Sequence, residues 1–389
     1  MERPIYLDYQ ATTPLDPRVL EKMLPFFTEN FGNAASTSHL PGQQAHDAVE
    51  SARETIAANI NGSPLGLVFT SGATESINLA LKGVASFYNG QEKNHIITCQ
   101  TEHPAVLDCC AWLEQNGFQI TYLPVNNDGC LDMNLLDNAI SARTLLISLM
   151  YANNETGVLH DVATIGTLAK TKGVFFHCDA VQALGKEPLD VEALGIDLLS
   201  FSAHKIYGPK GIGGLWVRRK NPRVRLNLQM HGGGHERGFR SGTLNVPGIV
   251  GLAEALQLCQ TTREQEHARL QTLTHLFLAR LKSLDVTFQV NGHLKNRLAG
   301  SLNLRFPGTS SAALIRLTPQ IAAARGSACT SAVPAPSRVL LAMGLSADAA
   351  NESLRICFGR MTTETEVNLA ASFLAEGIKK VALEQATSP

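Results

Sequence analysis

Between residues 67 and 202 short apolar runs alternate with amphipathic stretches. Leu67 to Thr70 predicts a strand and Thr74 to Ala85 a helix. His95 to Cys99 predicts a strand, Pro104 to Gln115 a helix and Phe118 to Pro124 a strand. Leu145 to Met150 follows as a strand and Val162 to Lys172 as a helix, then Val174 to Cys178 and Leu198 to Ser202 as strands. Strands alternating with helices imply a mostly parallel sheet covered on both faces. Ahead of this block Tyr6 to Pro14 is extended and polar. Asp16-Pro17 opens a helix through Met23, and a longer helix, roughly Gln43 to Asn59, closes at Asn61-Gly62.

After about Val246 the pattern changes. A long helical stretch runs to Leu281, shorter strands follow at Val286 to Val290 and Leu302 to Arg305, and a helix covers Glu364 to Val381. The expected architecture is α/β: a large domain over residues 14–258 with a mostly parallel central sheet, and a smaller α+β domain made of 1–13 and 259–389. The 389 residues are 44% hydrophobic and 17% charged, with net charge −1, which gives no reason to expect nucleic-acid or membrane binding. No apolar run has transmembrane length and Met1 to Ile5 lacks a signal-peptide core, so a cytoplasmic location is expected. None of the eight cysteines forms a CxxC pair, so no metal site is expected. Cys99, Cys178 and Cys357 read as small core hydrophobes.

Binding sites in such sheets lie beyond the carboxyl ends of the strands. Leu198 to Ser202 runs into Ala203-His204-Lys205 and then a glycine-rich turn before a second strand, Leu215 to Arg218. Lys205 is either a surface lysine beside a hairpin or a buried amine, and burial favours the neutral, nucleophilic form. Thr70 to Ser76 suits a phosphate at a helix N-terminus, or is an ordinary Ser/Thr cap. His103 could stack on an aromatic ligand or move a proton, or cap the helix at Pro104. Asn153 and Asn154 before Gly157 mark a turn. Asp179 ends an apolar run and needs a cationic partner, which a protonated pyridine nitrogen would provide. Lysine, aspartate and a helix N-terminus on one rim are what pyridoxal phosphate requires. No GxGxxG opens the first strand–helix unit, which weakens a dinucleotide reading.

The blocks Tyr6 to Pro14, Thr70 to Ser76, Thr101-Glu102-His103, Asn153 to Gly157, Ser202 to Lys205, Gly232 to Arg237 with Arg240 to Thr243, and Gly326 to Ser331 resemble those of group I cysteine desulfurases, the NifS/IscS type. These are fold-type I, class V aminotransferase-fold enzymes. The resemblance covers about Tyr6 to Arg360, and its specific block is Gly326-Ser327-Ala328-Cys329-Thr330-Ser331. It implies that Lys205 forms the Schiff base with pyridoxal phosphate and that His103 stacks on the ring and assists proton transfer. Asp179 would pair with the ring nitrogen and Gln182 with the phenolic oxygen. Ala73, Thr74, Ser202 and His204 would hold the phosphate, with Asn154 also at the cofactor. Thr243 would reach the phosphate of the other subunit in a homodimer.

Asn33, Asn154 and Arg355 would bind the substrate carboxylate, and Cys329, on a loop at about 324–336, would take sulfur from L-cysteine as a persulfide. A protein acceptor, an iron–sulfur scaffold or a tRNA-thiolation relay, would receive it. A selenocysteine lyase or related β-lyase is the alternative within the same cofactor chemistry. Arg325 departs from the family's two serines: it is expected to lower the Cys329 pKa, to pair with an acidic partner, or to lie in solvent.

Overall fold

The computed structural model describes residues 3–90, 92–326 and 335–387. A two-residue strand, β1 (Ile5–Tyr6), precedes the central sheet. That sheet contains β2 (Leu67–Thr70), β3 (His95–Cys99), β4 (Gln119–Leu123), β5 (Thr144–Met150), β6 (Phe175–Asp179), β7 (Leu198–Ser202) and β8 (Gly213–Val217). Their spatial order is β2-β8-β7-β6-β5-β3-β4. β8 is antiparallel to both neighbours and every other pair is parallel. β5, β7 and β8 are buried along their whole length, as strands covered on both faces must be.

The predicted helix after residue 246 is continuous from Val246 to Ser283. Its first half, from Val246 to Cys259, packs into the core of the large sheet. Leu273, Phe277 and Leu281 of its second half join another core with Leu302, Leu304, Leu354 and Ile356. That second core sits on β9 (Gln289–Val290), β10 (Ser301–Arg305) and β12 (Ser353–Cys357), an antiparallel sheet in the order β12-β10-β9. β11 (Ile321–Ala322) pairs in parallel with β1. The chain after β1 continues beside β12, where the Cys357 N–H donates to the Leu7 carbonyl.

Two differences from expectation near the site have physical reasons. Gly213 and Gly214, read as turn, are the first residues of β8 and pair with Ser202 and Phe201. A Cβ at Gly213 would stand 2.5 Å from the Phe201 carbonyl oxygen and 2.8 Å from Gly72 Cα, so glycine there allows close approach rather than a turn. β12 was not expected at all. Its centre is a charged residue, Arg355, in a strand that is buried throughout.

One buried ion pair ties the start of the sheet to the 232–243 segment. Arg53 donates to both carboxylate oxygens of Glu236 at 2.8 and 2.9 Å and to the Leu67 carbonyl, while Glu236 also accepts the Phe69 N–H. The two residues are 2% and 7% exposed. Arg53→Ala would strand a buried carboxylate. Urea unfolding should show a loss of roughly 3–5 kcal/mol.

Candidate active site

A cavity of about 480 Å³ opens beyond the carboxyl ends of β5, β6 and β7. Ala73, Thr74, His103, Asn154, Asp179, Gln182, Ser202, His204, Lys205 and Arg355 all line it. These residues come from positions as distant as 73 and 355, brought together because each follows a strand end or sits on β12.

Lys205 closes a single helical turn, Ala203–Lys205, directly after β7. Its Nζ donates to the carbonyls of Gln10 and Ala11, the latter at 2.7 Å. It is therefore not a solvent lysine. Two residues on, Tyr207 adopts a left-handed backbone with φ of 65°. That conformation is costly without a glycine. It is held by the Tyr207 N–H donating to Thr13 Oγ1 and by the Tyr207 hydroxyl accepting the Arg360 N–H.

Asp179 is the last residue of β6. Its carboxylate accepts the Val181 N–H at 3.0 Å. Burial pushes it up to about 6, against the opposing pull of that hydrogen bond and of Lys205. A cationic heteroaromatic nitrogen in the cavity would provide the charge that this carboxylate needs.

Across the cavity the helix Ala73–Tyr88 begins at Gly72 without any side-chain cap. Thr70 and Ser76 instead bond to each other at 2.7 Å, and the Glu75 carboxylate accepts the Ser71 N–H. The ordinary Ser/Thr cap reading therefore does not hold. The first N–H groups of a helix lack intrahelical acceptors, and with the helix dipole they favour an anion. Gly72 has φ of 154°, a backbone conformation that residues with a Cβ rarely adopt, which accounts for glycine at this point of the rim.

His103 is the helix cap, and it also lines the cavity. Nδ1 accepts the Ala105 N–H at 3.1 Å, capping the helix Pro104–Gln115, while the ring lines the cavity. Burial first, then Lys205, lowers its pKa to about 4, so the ring is neutral at pH 7 and its proton sits on Nε2. His204 is likewise lowered to about 4, mainly by burial, and its Nδ1 meets Thr12 Oγ1 at 3.2 Å. Gln182 Nε2 donates to the Gln10 carbonyl. A cationic-ring partner, an anion cradle, a neutral imidazole and an amine around one cavity fit pyridoxal phosphate.

Arg355 forms the other wall. It is 1% exposed. Nη1 donates to the Asn154 carbonyl at 2.8 Å, Nη2 to Asp8 Oδ1 at 2.6 Å, and Nε is buried with no hydrogen-bond partner among the described residues. A buried guanidinium with a donor to spare suits a carboxylate ligand.

Two expected site residues lie off the cavity wall. Asn33 is exposed, its Oδ1 accepts the Ala35 N–H, and it does not line the cavity. Thr243 is also exposed and off the cavity wall, on a segment that Arg240 ties to Glu75 at 2.8 Å. Cys329 falls outside the described residues. Arg325 is not solvated: it donates to Ser311 Oγ at 3.2 Å and to Asn351 Oδ1 at 2.9 Å. Gln10, Ala11 and Asp8 were missed as site residues. The first two act through backbone carbonyls, which leave no side-chain signature. Asp8 sits in the Tyr6 to Pro14 block, but a carboxylate alone does not name its partner.

Residues 5–369 match the family Aminotransferase class-V. A protein named Cysteine desulfurase IscS from Anaeromyxobacter sp. (strain K) is 53% identical over 382 residues, 98% of this chain and 94% of that protein. Another of the same name from Neisseria meningitidis is 52% identical over 381 residues, with the same coverage of both chains. Among solved structures, a NifS-like protein superposes with a TM-score of 0.89 at 36% identity, covering 98% of this chain and all of that one. SspA in complex with cysteine gives 0.80 at 36% identity, over 91% of this chain and 98% of that one. With a cavity built for pyridoxal phosphate and relatives of this identity across nearly its whole length, the chain belongs to the class-V aminotransferase family, among the cysteine desulfurases.

Proposed function

We propose that the protein is a pyridoxal phosphate-dependent cysteine desulfurase that converts L-cysteine to L-alanine and leaves the sulfur as a persulfide on Cys329. The observation that carries this reading is the shared cavity of Lys205, Asp179, His103 and Arg355. When bound, pyridoxal phosphate supplies a protonated ring that withdraws electrons from the substrate Cα. Asp179 would hold the ring nitrogen, Gln182 the phenolic oxygen, and Ala73, Thr74, Ser202 and His204 the phosphate. His103, neutral and fixed through Nδ1, would pack on the ring.

Arg355 and Asn154 orient the substrate carboxylate. Lys205 Nζ takes the Cα proton. Cys329 Sγ, as thiolate, attacks the sulfur of L-cysteine: an S–S bond forms, the C–S bond breaks, the electron pair left on Cβ takes up a proton, and Lys205 Nζ returns a proton to Cα to give alanine. The persulfide then passes to an acceptor protein, for iron–sulfur cluster assembly or tRNA thiolation. The working unit is a homodimer in which Thr243 completes the partner's phosphate site, in the cytoplasm. Residues 14–258 form the cofactor domain, and 1–13 with 259–389 the smaller one. Two separate cores bridged by the helix Val246–Ser283 support that division.

The cofactor assignment is tested by pH. In the apoprotein Asp179 titrates at about 6, so its charge is present above that pH and lost below it. The ring cation holds the carboxylate ionised in the complex, so uptake of pyridoxal phosphate should weaken by up to about tenfold per pH unit below about 6. Absorbance titration of the apoprotein reads this directly. Asp179→Asn should weaken uptake at neutral pH and flatten the dependence.

A further inference from the structure

We propose that Asp8 is a resident carboxylate on Arg355, and that its charge opposes entry of the substrate carboxylate and so sets the KM for L-cysteine. This rests on the reading that Arg355 receives the substrate carboxylate. The placement is dictated by backbone. The Cys357 N–H donates to the Leu7 carbonyl, and Asp8 bridges Cys357 in parallel, so Asp8 lies beside β12 two residues from Arg355. The Tyr6 hydroxyl donates to the Asp8 and Thr12 carbonyls and fixes the segment further.

Arg355 is held from both sides as well. Its backbone exchanges hydrogen bonds with Ala324, its Nη1 is committed to the Asn154 carbonyl, and its strand pairs with β10 at Asn303. The guanidinium therefore cannot turn to meet an incoming anion. What remains is the edge formed by Nε and Nη2. Nε is buried with no hydrogen-bond partner among the described residues, and Nη2 is bonded to Asp8 at 2.6 Å. A carboxylate docking side-on to a guanidinium uses this pair of donors. On that edge it meets the negative charge of Asp8.

The two side chains differ in exposure: 18% for Asp8 and 1% for Arg355. Asp8 stands on the solvent side of the pair, where it can be displaced or can share Nη2, while Arg355 stays fixed. Burial raises the Asp8 pKa, with Arg355 pulling it back. The pair thus keeps a buried guanidinium neutralised before substrate arrives, at the expense of affinity when it does.

Asp8→Asn retains an oxygen acceptor for Nη2 and removes the charge, whereas Asp8→Ala removes both. In holoenzyme, Asp8→Asn should lower the KM for L-cysteine by about three- to tenfold, partial exposure of Asp8 limiting the effect. The change should fall on KM rather than kcat. Binding of L-alanine, followed by absorbance of the bound cofactor, should tighten in the same proportion. A KM for Asp8→Asn that is unchanged or raised would overturn the proposal and leave Asp8 as a strut for Arg355. Arg355→Lys separates the two readings. If it leaves L-alanine binding intact, the assignment of Arg355 itself fails. If it weakens binding while Asp8→Asn does nothing, only the role of Asp8 fails.

Discussion

Cys329→Ser is expected to lower alanine formation from L-cysteine by on the order of 1,000-fold or more, with the absorbance of the bound cofactor preserved. Attack on the substrate sulfur needs a thiolate, and a serine hydroxyl at neutral pH is neither ionised nor comparably nucleophilic toward sulfur. The proposed cofactor contacts come from Asp179, Lys205 and the helix at Ala73, all on the cavity wall and none dependent on the residue at 329. An enzyme that eliminated sulfur without a protein thiol, as a selenocysteine lyase or other β-lyase would, should keep its turnover in this variant. Alanine assay of purified Cys329→Ser protein thus separates sulfur relay from thiol-free lysis. The other seven cysteines offer no substitute. Cys99, Cys109, Cys110, Cys178, Cys259 and Cys357 are buried, and burial raises the pKa of each. Cys130 is partly exposed, but burial and Asp128 still raise its thiol.

Lys205→Ala should be as damaging, by a similar factor of about 1,000 or more in kcat, because it removes both the amine that binds the cofactor covalently and the base. Its spectroscopic signature differs from that of Cys329→Ser. The Schiff-base absorbance of the resting enzyme should vanish, with cofactor retained only through the Asp179 side and the phosphate cradle. Lys205→Arg is a stringent companion. A guanidinium keeps the positive charge and can still donate to the Gln10 and Ala11 carbonyls, which now hold Nζ, so the local structure should survive. It cannot form the Schiff base, and should be equally inactive. Activity retained in Lys205→Arg would show that the lysine serves only as a cation.

Much of the large sheet could be read from the chain because its signals are local. The strand His95–Cys99 and the helices Pro104–Gln115 and Val162–Lys172 coincide with the observed bounds. In each, apolar period and punctuation by proline, aspartate or glycine agree. The cavity-lining residues at strand ends were legible for the same reason: a lysine or aspartate that terminates an apolar run is conspicuous. β12 was not legible, because Arg355 at its centre breaks the apolar pattern that marks a buried strand. Only tertiary partners, Asp8 and the Asn154 carbonyl, make that burial tolerable. The carbonyls of Gln10 and Ala11 were hidden because backbone groups carry no sequence signature. The glycines at 213 and 214 misled in the opposite sense, since they permit close packing of β8 rather than a turn.

The account turns on where the sulfur goes. The direct measurement is a single-turnover reaction of the holoenzyme with L-cysteine, with alanine quantified and the quenched protein digested and mapped by mass spectrometry. The account predicts one alanine per sulfur retained, and a mass increment of one sulfur atom on the peptide containing Cys329 and on no other cysteine peptide. Alanine formed without that increment on Cys329, or the increment carried by a different cysteine, would contradict it.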